Sequence, residues 1–456
     1  NTPKPSASQT GPDENKSVPA EVEPFALQIG SGQDWLSKGN LDNATRMFKE
    51  AFKTSGSEVA RGLLLQATAA EEARDAPCRL TGIGRPRPFE IVSPASRPTL
   101  ALTERGLVFG WIDNHEEKTK KQGYTSLLDD LLRRVSPARG ITPEAAAARH
   151  VQLLPASDKL MVIYWDDAGT QPGVFVRLLT TDGRVDKAAQ RISEVGRSQF
   201  YPSLTAAPND TFLAIWTEEV HKGSADVVAR RLNADLEPLG PTVKLTDLLP
   251  EKGQEALAGK AAAAIVDNTL NIVFEVANRQ RASIKMLRLP LDSQELKDGL
   301  PAVPKRKETR HVGHLINVSA IEGNHGQPRV SCIAEGCFVV WDNESGGAVA
   351  SFVNGMTGEP IWYREFAPKG ERPAVARAPD GSTLLVWYES GRVRAAALNR
   401  DGVGKASILG RVSGYQPYPE VIPGNQPGEW YVSWRGFEAG HLEAFVARAQ
   451  CKVDKQ

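Results

Sequence analysis

Between residues 199 and 246 the apolar and polar positions fall into four short runs. Tyr201–Ala206 comes first, and Pro208-Asn-Asp210 reverses the chain. Thr211–Trp216 is an apolar run too short for a helix and rich in sheet-forming residues. Asp226–Leu232 and Pro241–Thr246 follow. The pattern predicts a four-stranded antiparallel meander. Such a sheet cannot bury both its faces, so it needs neighbours of its own kind.

The second run recurs as Leu107–Trp111, Leu160–Trp165, Leu270–Phe274, Cys337–Trp341, Leu384–Trp387 and Trp430–Trp434. The closing aromatics stand roughly 46–67 positions apart, about the length of a propeller blade. The first run recurs at Pro98, Pro328, Pro373 and Pro419, and the third at Val176 and Val393. The expected fold is mainly β: a seven-bladed β-propeller over residues 76–456. Its last unit lacks a fourth strand, and Pro88–Ser93 is expected to supply it, closing the ring. Leu127–Val135 reads either as strands or as a short helix on the rim, and 291–324 as a long loop insertion.

Ahead of the repeats the pattern changes twice. Residues 1–24 are rich in Pro, Ser, Lys and Glu and read as a disordered tether. Residues 25–75 read as helical. Gly39-Asn-Leu-Asp-Asn-Ala44 with Phe48 and Ala51 resembles the second half of a tetratricopeptide repeat, which implies a glycine turn between packed helices. Too short to stand alone, the helices are expected to dock on the propeller or to extend a partner's helical surface.

The 456 residues carry 55 basic and 55 acidic side chains. That balance gives no long-range pull on nucleic acid or anionic lipid. No apolar run reaches the ~18 residues of a membrane span. The chain starts at Asn1, which raises the expectation of a leader or anchor upstream. Cys332 and Cys337 flank a four-residue turn and are expected to pair; free thiols are the alternative. Cys78 and Cys451 come together if the ring closes through its N-terminal strand. Two disulfides imply an oxidising, extracytoplasmic compartment, periplasm or cell surface.

Candidate chemistry follows from position. Residues just before each first strand and just after each second strand converge on one propeller face. The candidate ligand-binding set is Asp166, Asp167, Glu218, Glu219, Asp342, Glu344 and Glu389 with the aromatics Phe200, Tyr201, Tyr415 and Tyr418. An acidic ring with aromatics suits a cationic group, a sugar or a basic peptide. His311, His314 and His325 read as solvated loop residues rather than metal ligands, and no cofactor is implied. There is no Gly-x-Ser-x-Gly elbow, Walker loop or His-Glu-x-x-His.

Pro379-Asp-Gly-Ser-Thr-Leu-Leu-Val-Trp387 resembles the repeats of bacterial periplasmic propellers of the TolB type. The resemblance implies a scaffold or a ligand-binding channel mouth, as in receptor ectodomains and surface lipoproteins. The expectation is a non-catalytic recognition module for a protein, small ligand or glycan. The alternative is a hydrolase or lyase that acts on polysaccharide with carboxylates at the channel mouth.

Overall fold

The computed structural model describes residues 26–72, 76–85, 97–113, 121–143, 146–167, 172–221, 224–248, 256–278, 281–301, 308–319, 323, 325–343, 346–412, 417–438 and 441–452. The expected tether, the Pro88–Ser93 strand, Glu344 and Tyr415 lie outside them. Three helices come first: α1 (Ala26–Ser37), α2 (Leu41–Ser55) and α3 (Glu58–Glu71). Gly39, at φ 73°, turns the chain between α1 and α2, a conformation that costs glycine nothing. The Asn40 side chain caps α2 by accepting from the Asn43 amide at 3.1 Å. Phe48, Ala44 and Ala51 form the buried stripe of α2.

The rest is mainly β and propeller-like, built from antiparallel sheets of consecutive strands. All seven recurrent apolar runs are strands, each second in its group. They are Gly106–Asp113, Lys159–Asp166, Thr211–His221, Thr269–Ala277, Gly336–Asn343, Thr383–Glu389 and Glu429–Glu438. Two groups are joined in one larger sheet, because Ser224–Leu232 meets Ala256–Val266 in parallel over two residues. Leu127 and Leu128 end the strand Gln122–Leu128. The insertion after 291 holds a short helix, Gln294–Asp298, and the strands Arg310–His311 and His314–Asn317.

Six of the seven repeat aromatics are core residues: Trp111, Trp216, Phe274, Trp341, Trp387 and Trp434. Trp165 is the exception and stays half-buried. In its unit the core position belongs to Tyr164, stacked on cross-strand Phe175 at 5.4 Å. That pair matches Trp111 on Tyr124 and Trp434 on Phe445, also directly cross-strand. Trp165 lies one residue further on, and in a strand one residue is the opposite face.

The strand that pairs with the C-terminal strand His441–Cys451 is Cys78–Gly84, with Cys78 opposite Cys451. This is the place the sequence reading gave to Pro88–Ser93, which lies outside the described residues. Pro86 and Pro88 lack the amide hydrogens a ladder uses, whereas Cys78-Arg-Leu-Thr-Gly-Ile-Gly84 offers all seven. Cys78 is bonded to Cys451, and Cys332 to Cys337. Two disulfides fit an oxidising environment. No helix among the described residues is long and apolar enough to cross a membrane.

The helices share a core with this terminal sheet. Leu36, Phe48 and Leu63 join Leu80, Val432, Trp434 and Phe445 in one apolar cluster. Buried Gln66 accepts the Arg411 amide at 2.5 Å, and buried Gln33 donates to the Ile83 carbonyl at 3.1 Å. At the rim of the contact Arg392 pairs with Glu72 at 2.8 Å.

The two disulfides close loops of very different length, 373 and 5 positions apart. Replacing Cys78 and Cys451 together by Ser should therefore lower the unfolding free energy by about 2–4 kcal/mol, read from denaturant titration. The same change at Cys332 and Cys337 should cost less. Equal losses would show that loop closure is not how the long bond stabilises the fold.

Candidate functional site

Seven first strands each send a residue to one central pocket system. In chain order these are Arg97 (just before Thr99–Thr103), His150, Tyr201, Lys260, Arg329, Arg372 and Glu420. A repeated backbone device aims several of them. The pairing register slips at Tyr201-Pro202, Lys260-Ala261, Gln327-Pro328 and Arg372-Pro373. At each slip the leading residue has a positive φ: 51°, 49°, 54° and 56°. Tyr418, before Pro419, has φ 44°. These are bulges, and a bulge turns a side chain out of the sheet's alternation. Left-handed backbone costs a non-glycine residue about 1–3 kcal/mol, so something must hold it.

The acids at the second-strand ends do part of that holding. The Arg372 amide donates to Asp342, whose other oxygen pairs with the Arg372 guanidinium at 3.0 Å. The Gln327 amide donates to Glu275 at 3.3 Å, and Glu275 also takes the Lys260 ammonium at 3.0 Å. Each carboxylate reaches from one unit to the bulge of the next.

Other acids of the candidate ring are engaged too, within their own units. Buried Asp166 accepts the Ala147 amide at 2.9 Å, and Asp167 pairs with Arg149. Buried Glu218 pairs with Arg197, and Glu389 with Arg394 at 2.8 Å. Glu219 follows Glu218 on the same strand and is half-buried. The structure does not gather these acids around one ligand space. Phe200 and Tyr201 lie together beside Trp165, and Tyr418 sits in the central pocket. His325 is buried, its Nδ1 3.2 Å from Trp341 Nε1.

What lines the centre is cationic. A cavity of about 190 Å³ is walled by Arg97, His150, Tyr201, Lys260, Arg329 and Glu420. Next to it the Tyr418 ring has three guanidiniums over it: Arg435 at 4.7 Å, Arg97 at 4.8 Å and Arg372 at 5.0 Å. Burial, then the neighbouring Arg329, brings Arg97 down to about 9, still charged at neutral pH. Burial brings Arg435 down to about 10. His150 is driven down to about 3 by burial and by Arg97 and Arg329, so its imidazole is neutral. Glu420 is pushed up to about 7 by burial, against the pull of Arg329 and Arg97. The pocket thus joins an anion-binding wall to one carboxyl that gains and loses its proton near neutrality.

Sequence reasoning missed Arg97, His150, Lys260, Arg329 and Glu420. A signal was present for three of them. Arg97-Pro98, Pro328-Arg329 and Pro419-Glu420 place them beside the prolines that open first strands, one before its proline and two after. Lys260 and His150 have no such marker.

No protein-family model matches the chain, and no curated protein matches it. Solved structures do. A protein of unknown function from Dyadobacter fermentans DSM 18053 aligns over 82% of this chain and 100% of its own, at 12% identity and a TM-score of 0.47. An α-L-arabinofuranosidase from Fusarium graminearum aligns over 80% and 96%, at 11% identity and 0.45. A polysaccharide lyase described as an ulvan lyase aligns over 70% and 81%, at 10% identity and 0.42. Where these descriptions state an activity, it is cleavage of a glycan, unlike the non-catalytic recognition module expected from the sequence. At such identities and TM-scores the likeness assigns nothing to this chain, and the chemistry has to come from the pocket.

Glu420 also makes the pocket pH-sensitive. Its folded value lies above the ordinary 4.5, so the unfolded chain loses this proton first as pH rises. Stability falls between about pH 4.5 and 7, and the whole cost is present above pH 7. Glu420→Gln should raise the melting temperature at pH 8 by roughly 2 °C and leave it unchanged at pH 4. A drop at pH 8 would mean that the charged form is favoured in the fold.

Proposed function

We propose that this chain cleaves an acidic polysaccharide at the central cationic pocket, by elimination rather than by hydrolysis. The observation that carries the reading is Glu420, a carboxyl lifted to about 7 among Arg97, Arg329 and His150. Glycoside hydrolysis ordinarily uses two carboxyl groups flanking the scissile bond. Among the described residues that line this pocket, Glu420 is the only carboxylate. Elimination from a uronate asks for something else: cations that neutralise the sugar carboxylate, a base and an acid.

The residues fit those roles. Arg97, Arg329 and Arg372 hold the uronate carboxylate and stabilise the charge that grows on it as the α carbon loses its proton. Neutral His150 takes that proton; a bound carboxylate offsets the two guanidiniums that depress its basicity. The C–H electron pair becomes the new ring double bond, and the bond from the adjacent carbon to the glycosidic oxygen breaks. Protonated Glu420 delivers its proton to the departing oxygen.

The reading extends to the architecture and the setting. Seven sheet units stand around one axis, with Cys78–Gly84 completing the last, and the helices form a tetratricopeptide-like brace on that seam. With its two disulfides, the protein works outside the cytoplasm, in the periplasm or at the cell surface.

The test is incubation with a polyuronate, a sulfated uronate polymer and a neutral arabinan. Reducing ends and the ultraviolet absorbance of unsaturated sugar should rise together with an acidic polymer. Glu420→Gln should lower the rate roughly 10²–10⁴-fold. The wild-type rate should fall as pH passes about 7, because Glu420 acts in its protonated form. Reducing ends without the new absorbance would make the enzyme a hydrolase. No cleavage of any acidic polymer would end the proposal.

A further inference from the structure

We propose that the aromatic-walled cleft beside the cationic pocket is a second sugar subsite, which takes the neighbouring residue of the same acidic chain. The inference rests on the glycan reading above and names a feature of the substrate: it is a polymer, held over at least two rings. The cleft holds about 450 Å³ and is lined by Trp165, Phe200, Arg191 and Arg197 among others. Tyr201 walls the central cavity on its other side, so the two spaces share an aromatic partition.

Three facts about these rings set them apart from core aromatics. Trp165 is the repeat aromatic that left the core, its place there being filled by Tyr164 on Phe175. It stands edge-on to Phe200 at 5.2 Å and to Tyr201 at 5.8 Å, so the three make a continuous apolar surface. Tyr201 is 43% exposed although its backbone is held in the left-handed region. A packing role would bury that ring and would not need the strain.

The surroundings say what the surface fits. Aromatic faces take the C–H faces of pyranose rings, and a few polar groups at the edge fix orientation. Here the charged edge groups are two guanidiniums and the carboxylate of Asp167, which is paired with Arg149. Arg191 is held by the carbonyls of Ser193 and Glu194 at 3.1 and 2.7 Å, and Arg197 by Glu218 and by Glu194 at 3.6 Å. An aromatic floor with cationic edges, continuous with a cationic pocket, matches a second acidic sugar in the same chain.

The experiment separates this subsite from catalysis. Oligouronates of increasing length are titrated calorimetrically into the full chain carrying Glu420→Gln, which binds without turning over. Affinity should rise roughly three- to tenfold when the chain becomes long enough to reach the cleft. That increment should vanish with Trp165→Ala and shrink with the milder Phe200→Leu, while the shortest ligand binds all three proteins alike. An increment that survives both substitutions, or affinity that does not depend on length, overturns the subsite. If wild-type chain gives no turnover while the length-dependent binding holds, the catalytic reading fails and the subsite stands. If no oligouronate binds, both fall.

Discussion

The left-handed bulge at the start of the inner strands is the constraint on which the site depends. A strand that alternated regularly would direct successive side chains up and down its own sheet and none to the centre. The slip at Tyr201, Lys260, Gln327 and Arg372 breaks that alternation and turns those residues to the pocket lining. Each bulge is strained, at about 1–3 kcal/mol. Two of them are held by a carboxylate that crosses from the preceding unit: Glu275 to Gln327 and Asp342 to Arg372. The same contacts therefore shape the pocket and tie neighbouring units together.

Acid and base divide the work by position. Asp166, Glu218, Asp342 and Glu275 are spent on backbone amides, guanidiniums or the Lys260 ammonium. Their charge is neutralised where it sits, so they make no anionic rim. Towards the axis the balance reverses. Arg97 and Arg329 crowd a small volume against the one carboxyl of Glu420, beside Arg372 and Lys260, which are paired with Asp342 and Glu275. The effect is visible on neutral neighbours too, since Arg97 and Arg329 help hold His150 unprotonated.

Much of the fold was legible because repetition amplifies a weak signal. One Trp-ended run decides little, but seven in phase identify seven strands. The pairing of Cys78 with Cys451 was legible for a related reason: a missing outer strand calls for one from the other end. The register of Trp165 was not. Tyr164 and Trp165 are adjacent aromatics, and composition alone does not say which faces the core. Only the cross-strand partner Phe175 settles it. The acids drew the sequence reading because they are obvious at strand ends. The cations sit beside prolines, or in strands where nothing marks them. Seeing that Asp342 and Glu275 are consumed requires the partner across the unit boundary, Arg372 or Gln327, which lies 30 or more positions away in sequence.

An overall charge of zero conceals this arrangement, and the concealment has a physical reason. Electrostatic free energy depends on where charges stand, not on their sum. With the acids paired at the strand ends, the guanidiniums of Arg97 and Arg329 face the pocket, where they repel one another through a medium poorer in water than the surface. Burial and the neighbouring Arg329 lower the Arg97 value to about 9, so the pocket holds its charges at a cost. An anion that enters relieves the repulsion instead of meeting a neutral wall. It also pulls Glu420 upward by removing the guanidiniums' hold on its carboxylate, and it raises the basicity of His150. In the elimination proposed above, substrate charge would thereby keep Glu420 protonated and make His150 a stronger base.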